Sequence, residues 1–156
     1  FMDKNAPTYN QSIEFAAELF TKALHEALRK IHKKMNFEIN HEEYIILETI
    51  LLNPGIIQID IAKKIIMKRS YVCKFLSSME ERGLIKRKNA IRGERQVIIQ
   101  NFITKKGEKA YKKVRDHFIE TFEGADYENE REILKTTTNT LFDMAARIKK
   151  EFDLKF

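Results

Sequence analysis

Cysteine, proline and glycine are scarce in this sequence, and each shortage excludes a class of protein. The one cysteine, Cys73, cannot form a disulfide within the chain or build a Cys-rich zinc finger. Two prolines and five glycines are too few for the many tight turns of a β-sandwich or β-barrel. The motifs of phosphate-binding loops, zinc proteases and serine hydrolases are also missing. The sequence therefore does not predict an enzyme, a metal site or a bound cofactor.

Long apolar stretches are absent as well. The longest run without a charged residue has 11 residues, Thr49–Ile59, whereas a membrane-spanning helix needs about 20 apolar residues. The segment Phe1–Lys4 contains no apolar core of a secretion signal. With 156 residues, 43% of them hydrophobic, the chain is long enough for one compact domain with its own core. We expect a cytoplasmic protein that does not bind a membrane.

Positive charge is concentrated in the middle of the chain. Residues 53–115 contain 17 basic and 5 acidic side chains, a net charge of +12, whereas the remaining residues sum to −6. A basic middle between acidic ends is typical of a surface that binds a polyanion. The alternative interpretation is an ordinary solvated set of helical surfaces.

The spacing of apolar residues predicts two helices before this basic region. In Ser12–Met35 apolar residues recur every three or four positions, and the apolar stripe is broad enough to contact more than one neighbour. A second helix begins after Asn40, a good N-cap, and Glu43 lies three residues further on, as in a capping box. The turn Asn53-Pro54-Gly55 ends this helix.

The basic region itself predicts two short helices and a β-hairpin. Ile59–Ile66 and Arg69–Arg82 have helical apolar spacing. Leu84–Lys88 and Val97–Ile103 have the composition of strands, and Asn89–Glu94 joins them as a basic loop. Two short helices followed by a two-stranded hairpin are the plan of a winged helix-turn-helix. We therefore expect a mainly α fold with a two-stranded wing that binds double-stranded DNA.

Two longer helices are predicted after the hairpin. Thr104 is a suitable N-cap for a helix that extends to about Phe122, and Gly124 interrupts it. The last helix begins within residues 126–130. Its mostly apolar seam positions alternate four and three residues apart, as between packed helices: Leu134, Thr138, Leu141, Ala145, Ile148 and Phe152.

The second helix of the helix-turn-helix is predicted to read DNA. At about 100° per residue, Val72, Leu76 and Met79 fall on one face, and the opposite face carries small, polar or basic side chains. Acidic side chains appear only at the far end of the helix, so its first turns are free to approach bases and phosphates. Ten residues of this helix, its neighbour and the wing are predicted to contact DNA: Lys63, Lys64, Lys68, Arg69, Ser70, Tyr71, Lys74, Lys88, Arg92 and Arg95.

Four segments, taken in order, match the pattern of one known family. His41–Leu47 fits the start of the second helix of that family, and Asn53–Ile65 fits its turn and third helix. Arg69–Arg87 fits its recognition helix and the start of its wing, and Ile103–Glu108 fits the start of its fifth helix. Over residues 41–113 the chain thus resembles the MarR (multiple-antibiotic-resistance regulator) family of bacterial transcription factors.

This resemblance implies a homodimeric regulator, commonly a repressor, on a pseudo-palindromic operator. Residues 1–36 and 105–156 would form dimerisation helices, and residues 37–104 would form the DNA-binding lobe, all within one compact domain. The resemblance also implies a small aromatic ligand between the dimer helices and the lobe. Four residues have side chains suited to such a cleft, with ordinary core packing as the alternative: Phe15, Leu19, Tyr44 and Tyr111.

The wing departs from the pattern of this family. Gly93-Glu94-Arg95 keeps the arginine of the family's Asp-x-Arg but not its aspartate. The stretch from Arg95 to Thr104 is about two residues longer than usual, which leaves room for a bulge. Lys68 stands where the family often has a Ser or Thr N-cap.

Two other functions stay open at this point. One is a DNA-binding protein of low sequence preference, and the other is a metal- or ligand-binding sensor whose basic charge is incidental. His41, Glu42 and His117 are the residue types that zinc-sensing members of the family use. No two of the four histidines are three or four positions apart, so we interpret them as surface residues: His25, His32, His41 and His117.

Overall fold

A computed structural model describes the protein over residues 8–93, 95–123 and 128–154. Six helices and one antiparallel hairpin follow each other in the predicted order over this part of the chain, and a 3-10 turn that the sequence did not predict, Tyr9–Gln11, precedes them. The helices are α1 (Ile13–Lys34), α2 (His41–Leu52), α3 (Gln58–Lys64), α4 (Arg69–Glu81), α5 (Lys105–Glu123) and α6 (Glu128–Glu151), and the strands are β1 (Ile85–Arg92) and β2 (Gln96–Ile103). The predictions for Phe1–Lys4, Glu94, Gly124 and the side chains of Phe122 and Leu134 lie outside the described residues.

Helix ends follow the signals read from the sequence. The Asn40 side chain accepts a hydrogen bond from the backbone N–H of Glu43 at 2.9 Å, and the Glu43 carboxylate accepts one from the backbone N–H of Asn40 at 3.0 Å. Thr104 Oγ1 accepts from the backbone N–H of Gly107 at 3.1 Å, which caps α5. Gly55 has a φ of +85° in the turn after α2, a conformation that few other residues adopt. These local signals correctly predict the start of α2, the end of α2 and the start of α5.

One core joins α2, α3, α4, the start of β1 and the first half of α5. Gly107 lets α5 lie directly on the start of β1, because an added Cβ there would come within 2.1 Å of the Leu84 carbonyl oxygen. Burying these apolar side chains is the main force that holds the lobe together. The buried apolar residues are Ile39, Ile46, Leu47, Ile50, Ile61, Ala62, Val72, Leu76, Met79, Leu84, Ile85, Ala110, Tyr111 and Val114.

A buried charge fixes the end of α4 against the start of α2. The Glu43 carboxylate is buried and forms an ion pair with Arg82, the residue that ends α4. Arg82 Nη1 also donates to the Glu38 carbonyl at 3.0 Å. Since a buried carboxylate without a partner is costly, this pair orients α4 relative to α2.

The hairpin is longer than the sequence predicted. Asn89–Glu94 was predicted as a loop, which is wrong for Asn89–Arg92, because these residues continue β1 and pair with residues 96–99. The pairs Ile91–Val97 and Ala90–Ile98 extend the ladder, and such cross-strand contacts outweigh the loop-like local composition. The register is continuous from Ile85–Ile103 to the tip, so the named strands contain no bulge. Ile57 adds an isolated bridge to Gln100, which the sequence did not predict.

The terminal helices differ from the lobe in their burial. Among the described side chains, α1 buries only His32 and α6 buries none, whereas both expose large apolar residues, such as Phe142 at 70%. No helix in the described part of the chain is both long and apolar enough to cross a bilayer.

Candidate nucleic-acid interface

Helix α4 has one buried and one exposed face, as predicted. Val72, Leu76 and Met79 are fully buried in the core, and this fixes the rotation of the helix about its axis. The opposite face is exposed and carries Ser70 and Lys74, and Cys73 is exposed beside them. The first turns of α4 thus present small, polar and basic side chains to solvent.

Helix α3 is held against the start of α4 by a side-chain hydrogen bond. Gln58 Nε2, in the first turn of α3, donates to the Arg69 carbonyl oxygen at 3.1 Å. Lys63 and Lys64 are exposed at the end of α3. Lys68 occupies the N-cap position of α4 and forms no capping hydrogen bond through its side chain. Three exposed lysine side chains thus lie between the end of α3 and the start of α4.

The wing has a basic face and an anchored base. Lys86, Lys88 and Arg92 alternate along β1 and therefore share one face of the hairpin. Lys88 Nζ lies 5.3 Å from the centroid of the Phe102 ring on the same face, a cation–π contact. Arg87 points to the other face and forms an ion pair with Glu80 of α4 at 2.5 Å. Arg87 therefore anchors the wing to α4, whereas its basic neighbours face solvent.

The predicted contact residues have no acidic partner among the residues that the structure describes. All ten are exposed, and none of them forms an ion pair within the part of the chain that the structure describes. A crevice of 340 Å³ lies between the first turns of α3 and α4 and the outer half of β2, with Arg69 and Gln58 on one side and Gln96 on the other. The start of α4 and the wing therefore flank a single groove.

The four residues predicted to hold a ligand do not all come together in one chain. Tyr44 and Tyr111 stack, with ring centroids 5.1 Å apart and planes 13° from parallel. Phe15 instead lies against Tyr9, 5.5 Å between centroids, and Leu19 is exposed on α1.

A carboxylate that the sequence analysis did not select accompanies the tyrosine pair. The Tyr111 hydroxyl donates to Glu48 Oε1 at 2.8 Å. Burial raises the pKa of both Tyr44 and Tyr111 above the ordinary value, and the hydrogen bond to Glu48 raises the pKa of Tyr111 further. Both hydroxyls are therefore protonated at neutral pH. Glu48 lies one helical turn from Tyr44, and that spacing was the only sequence signal for it.

The interpretation of all four histidines as surface residues is wrong for His32. Its side chain is 5% exposed, and Nδ1 donates to the Ile39 carbonyl oxygen at 2.9 Å. The rings of His32 and His41 lie 5.8 Å apart, because the chain reverses between α1 and α2. Among the residues that the structure describes, no group of three or more His, Cys, Asp or Glu side chains is placed to hold a metal ion.

A family model matches the centre of the chain. Residues 39–91 match the model of the MarR family. The matched segment comprises α2, α3, α4 and most of β1, which are the elements that build the groove between α4 and the wing. Among curated protein sequences, none matches this chain.

Solved structures with similar folds cover almost the whole chain. The transcriptional regulator SlyA is 23% identical with a TM-score of 0.69, covering 91% of this chain and 97% of its own. MepR from S. aureus in complex with DNA is 17% identical with a TM-score of 0.63, covering 88% and 99%. NadR in complex with 4-hydroxyphenylacetate is 21% identical with a TM-score of 0.67, covering 93% and 96%. Residues 39–91 thus match the MarR family model, and the solved structures show that the chain shares the fold of these regulators over most of its length.

Proposed function

We propose that the protein is a homodimeric transcriptional repressor that binds a pseudo-palindromic operator in double-stranded DNA. The observation that carries this proposal is the exposed face of α4, whose basic side chains have no acidic partner among the described residues and which flanks one groove with the wing. A helix of this kind enters the major groove, and its first turns meet the base edges. The likeness to the MepR–DNA complex supports the same arrangement.

The contact residues divide by the part of DNA that they meet. Arg69, Ser70, Tyr71 and Lys74 are placed to reach bases, because they lie in the first turns of α4. Lys63, Lys64 and Lys68 meet phosphates, which fix the position of the lobe without reading sequence. The wing residues Lys88, Arg92 and Arg95 meet the minor groove, where narrow A·T tracts attract cations.

The dimer is inferred from the apolar surface of the terminal helices. Leu19 and Phe20 in α1 and Leu141, Phe142 and Phe152 around α6 are exposed in the single chain. Exposed apolar patches of this extent mark interfaces, and a two-fold dimer covers the same patch twice. In this proposal α1 and α5–α6 join two copies, and each lobe of residues 37–104 meets one half-site of the operator, about one helical turn from the other.

Release by a small aromatic ligand completes the proposal. The stacked Tyr44–Tyr111 pair lies between α2 of the lobe and α5, and NadR has a similar fold and was solved with 4-hydroxyphenylacetate. A ligand there changes DNA affinity only if it binds the two lobe arrangements unequally.

A binding titration tests the proposal. The full chain is titrated onto an operator selected from a random duplex pool and onto a duplex of unselected sequence, at several salt concentrations. We expect the operator to bind at least about a thousandfold more tightly, with affinity falling steeply as salt rises. Equal affinity for both duplexes would favour a DNA-binding protein of low sequence preference. Absence of binding to either duplex at low salt would contradict the proposal.

A further inference from the structure

Aliphatic side chains supply most of the lining of the groove between α4 and the wing, and Arg69 is the one cation in it among the described residues. Val97 and Ile99 alternate along β2 and share one face of the hairpin, opposite the face of Lys86, Lys88 and Arg92. Ile91 pairs directly with Val97 across the strands and so extends the same face. Ile59, from the first turns of α3, lines the crevice together with Val97 and Ile99. We call these four residues the aliphatic strip: Ile59, Ile91, Val97 and Ile99.

The aliphatic strip is exposed in the single chain, which calls for an occupant. Ile91 is 73% exposed and Val97 is 68% exposed, although both stand in a regular strand pair. At the base of the same hairpin face, Ile85 and Asn101 are buried against the lobe. This face of the hairpin is therefore buried at its base, at Ile85 and Asn101, and exposed toward its tip, at Ile91 and Val97.

The position of the strip identifies the occupant. Arg69 borders the crevice on the α4 side, and Arg95 is exposed at the tip of the wing, next to Gln96 at the other end of the crevice. On the proposed function, α4 enters the major groove and the wing enters the adjacent minor groove, so the strand of DNA between the grooves crosses this crevice. That strand presents phosphates to the flanking arginines and deoxyribose C–H groups to the surface between them. An aliphatic lining between two cationic borders fits this alternation of charge and apolar surface.

We infer that the aliphatic strip is a DNA-contacting surface that packs against the deoxyribose edge of the strand between the two grooves. This inference rests on the proposed function and adds an apolar contact to the cationic ones. Apolar side chains contact DNA in minor grooves, where they insert between base steps. Such a contact raises affinity without releasing counterions, so its effect is independent of salt.

The test separates the apolar contribution from the ionic one. The double variant Ile91→Thr, Val97→Thr keeps β-branched side chains and replaces aliphatic surface by hydroxyl groups. We expect it to bind a mixed-sequence duplex about tenfold more weakly at every salt concentration, with the same salt slope as the wild type. The exchange Ile91→Val, Val97→Ile keeps the apolar surface and should bind like the wild type. Lys88→Gln, on the basic face, should instead lower the magnitude of the slope by about one unit.

Each outcome decides the inference. Unchanged affinity of the threonine variant, with wild-type binding intact, overturns the inference and leaves the proposed function standing. A changed sedimentation coefficient with unchanged DNA affinity also overturns it, since the strip would then join copies of the chain. If the double variant has a lower melting temperature than the wild type, the isosteric Val97→Thr alone should still weaken binding about threefold. Lack of wild-type binding to any duplex contradicts the proposed function itself.

Discussion

The DNA-binding lobe and the terminal helices differ in how much of their apolar surface is buried in the single chain. Every buried apolar residue with a described side chain lies between Ile39 and Val114, so the lobe and the first half of α5 close around one core. Helices α1 and α6 have equally regular apolar stripes, yet most of that surface faces solvent in the single chain. Amphipathic spacing thus identifies a buried face without saying which chain will cover it. We infer that the lobe folds together with the first half of α5 and that α1 and α6 need a second copy.

The largest effect is expected from charged residues in the exposed apolar seam of α6. Replacing Leu141 and Ile148 by Asp places four carboxylates in the apolar interface of each dimer, where desolvation of each costs several kcal/mol. We expect monomers or chains with unfolded terminal helices, together with loss of high-affinity operator binding. Sedimentation velocity and far-UV circular dichroism distinguish these outcomes. A wild-type chain that sediments as a monomer at micromolar concentration would contradict the dimer.

A cavity in the lobe should have a smaller effect that is independent of dimerisation. Leu76 is almost completely buried under α4, and Leu76→Ala is expected to lower the free energy of unfolding by about 2–5 kcal/mol. Leu52→Ala is the matched control, because Leu52 is exposed, and its effect should stay within about 0.5 kcal/mol. Urea unfolding at one fixed protein concentration measures both variants. Equal losses in the two variants would mean that the core is not where the structure places it.

The free energy of unfolding should fall at acidic pH because of His41, which lies at the start of α2 next to α1. Burial lowers the pKa of His41 below its ordinary 6.5, with the neighbouring His32 adding to the effect, so the folded chain binds fewer protons at His41 than the unfolded chain does. Stability is therefore full above pH 6.5 and falls as the pH drops toward the lowered folded value. We expect His41→Gln to flatten this part of the curve, by at most about 1.4 kcal/mol per pH unit.

Unfolding experiments at several pH values check this expectation. His25→Gln is the control, because His25 is exposed and contributes the smallest of the charge effects that act on His41. It should retain most of the pH dependence. If His41→Gln and the wild type lose stability in parallel between pH 7 and pH 5, then His41 is not the group that titrates.

The parts of the fold that could be predicted from sequence depend on neighbouring residues. The caps at Asn40 and Thr104 and the buried face of α4 are set within a few positions, so their signals are local. The extension of the wing depends on strand pairing, and the Glu43–Arg82 ion pair joins residues 39 positions apart. The burial of His32 likewise depends on how the chain reverses after α1. These contacts are set by tertiary packing, which periodicity does not report.

In the candidate site, too, the residues set by local spacing could be predicted and those brought together by tertiary packing could not. The exposed face of α4 follows from its buried face, so Ser70 and Lys74 could be selected from the sequence. The aliphatic strip could not be selected, because Ile59 and the strand residues meet only through the bridge between Ile57 and Gln100.

One titration tests most directly whether α4 reads DNA. Lys74→Ala removes a basic side chain from the exposed face of α4, and Lys64→Ala removes one from the end of α3. Both variants are titrated onto the selected operator and onto a random duplex at several salt concentrations. We predict that Lys74→Ala loses about 1–3 kcal/mol on the operator and relaxes one base position. Lys64→Ala should weaken both duplexes alike and lower the magnitude of the salt slope by about one unit. Unchanged operator affinity in Lys74→Ala would show that α4 is not the reading helix.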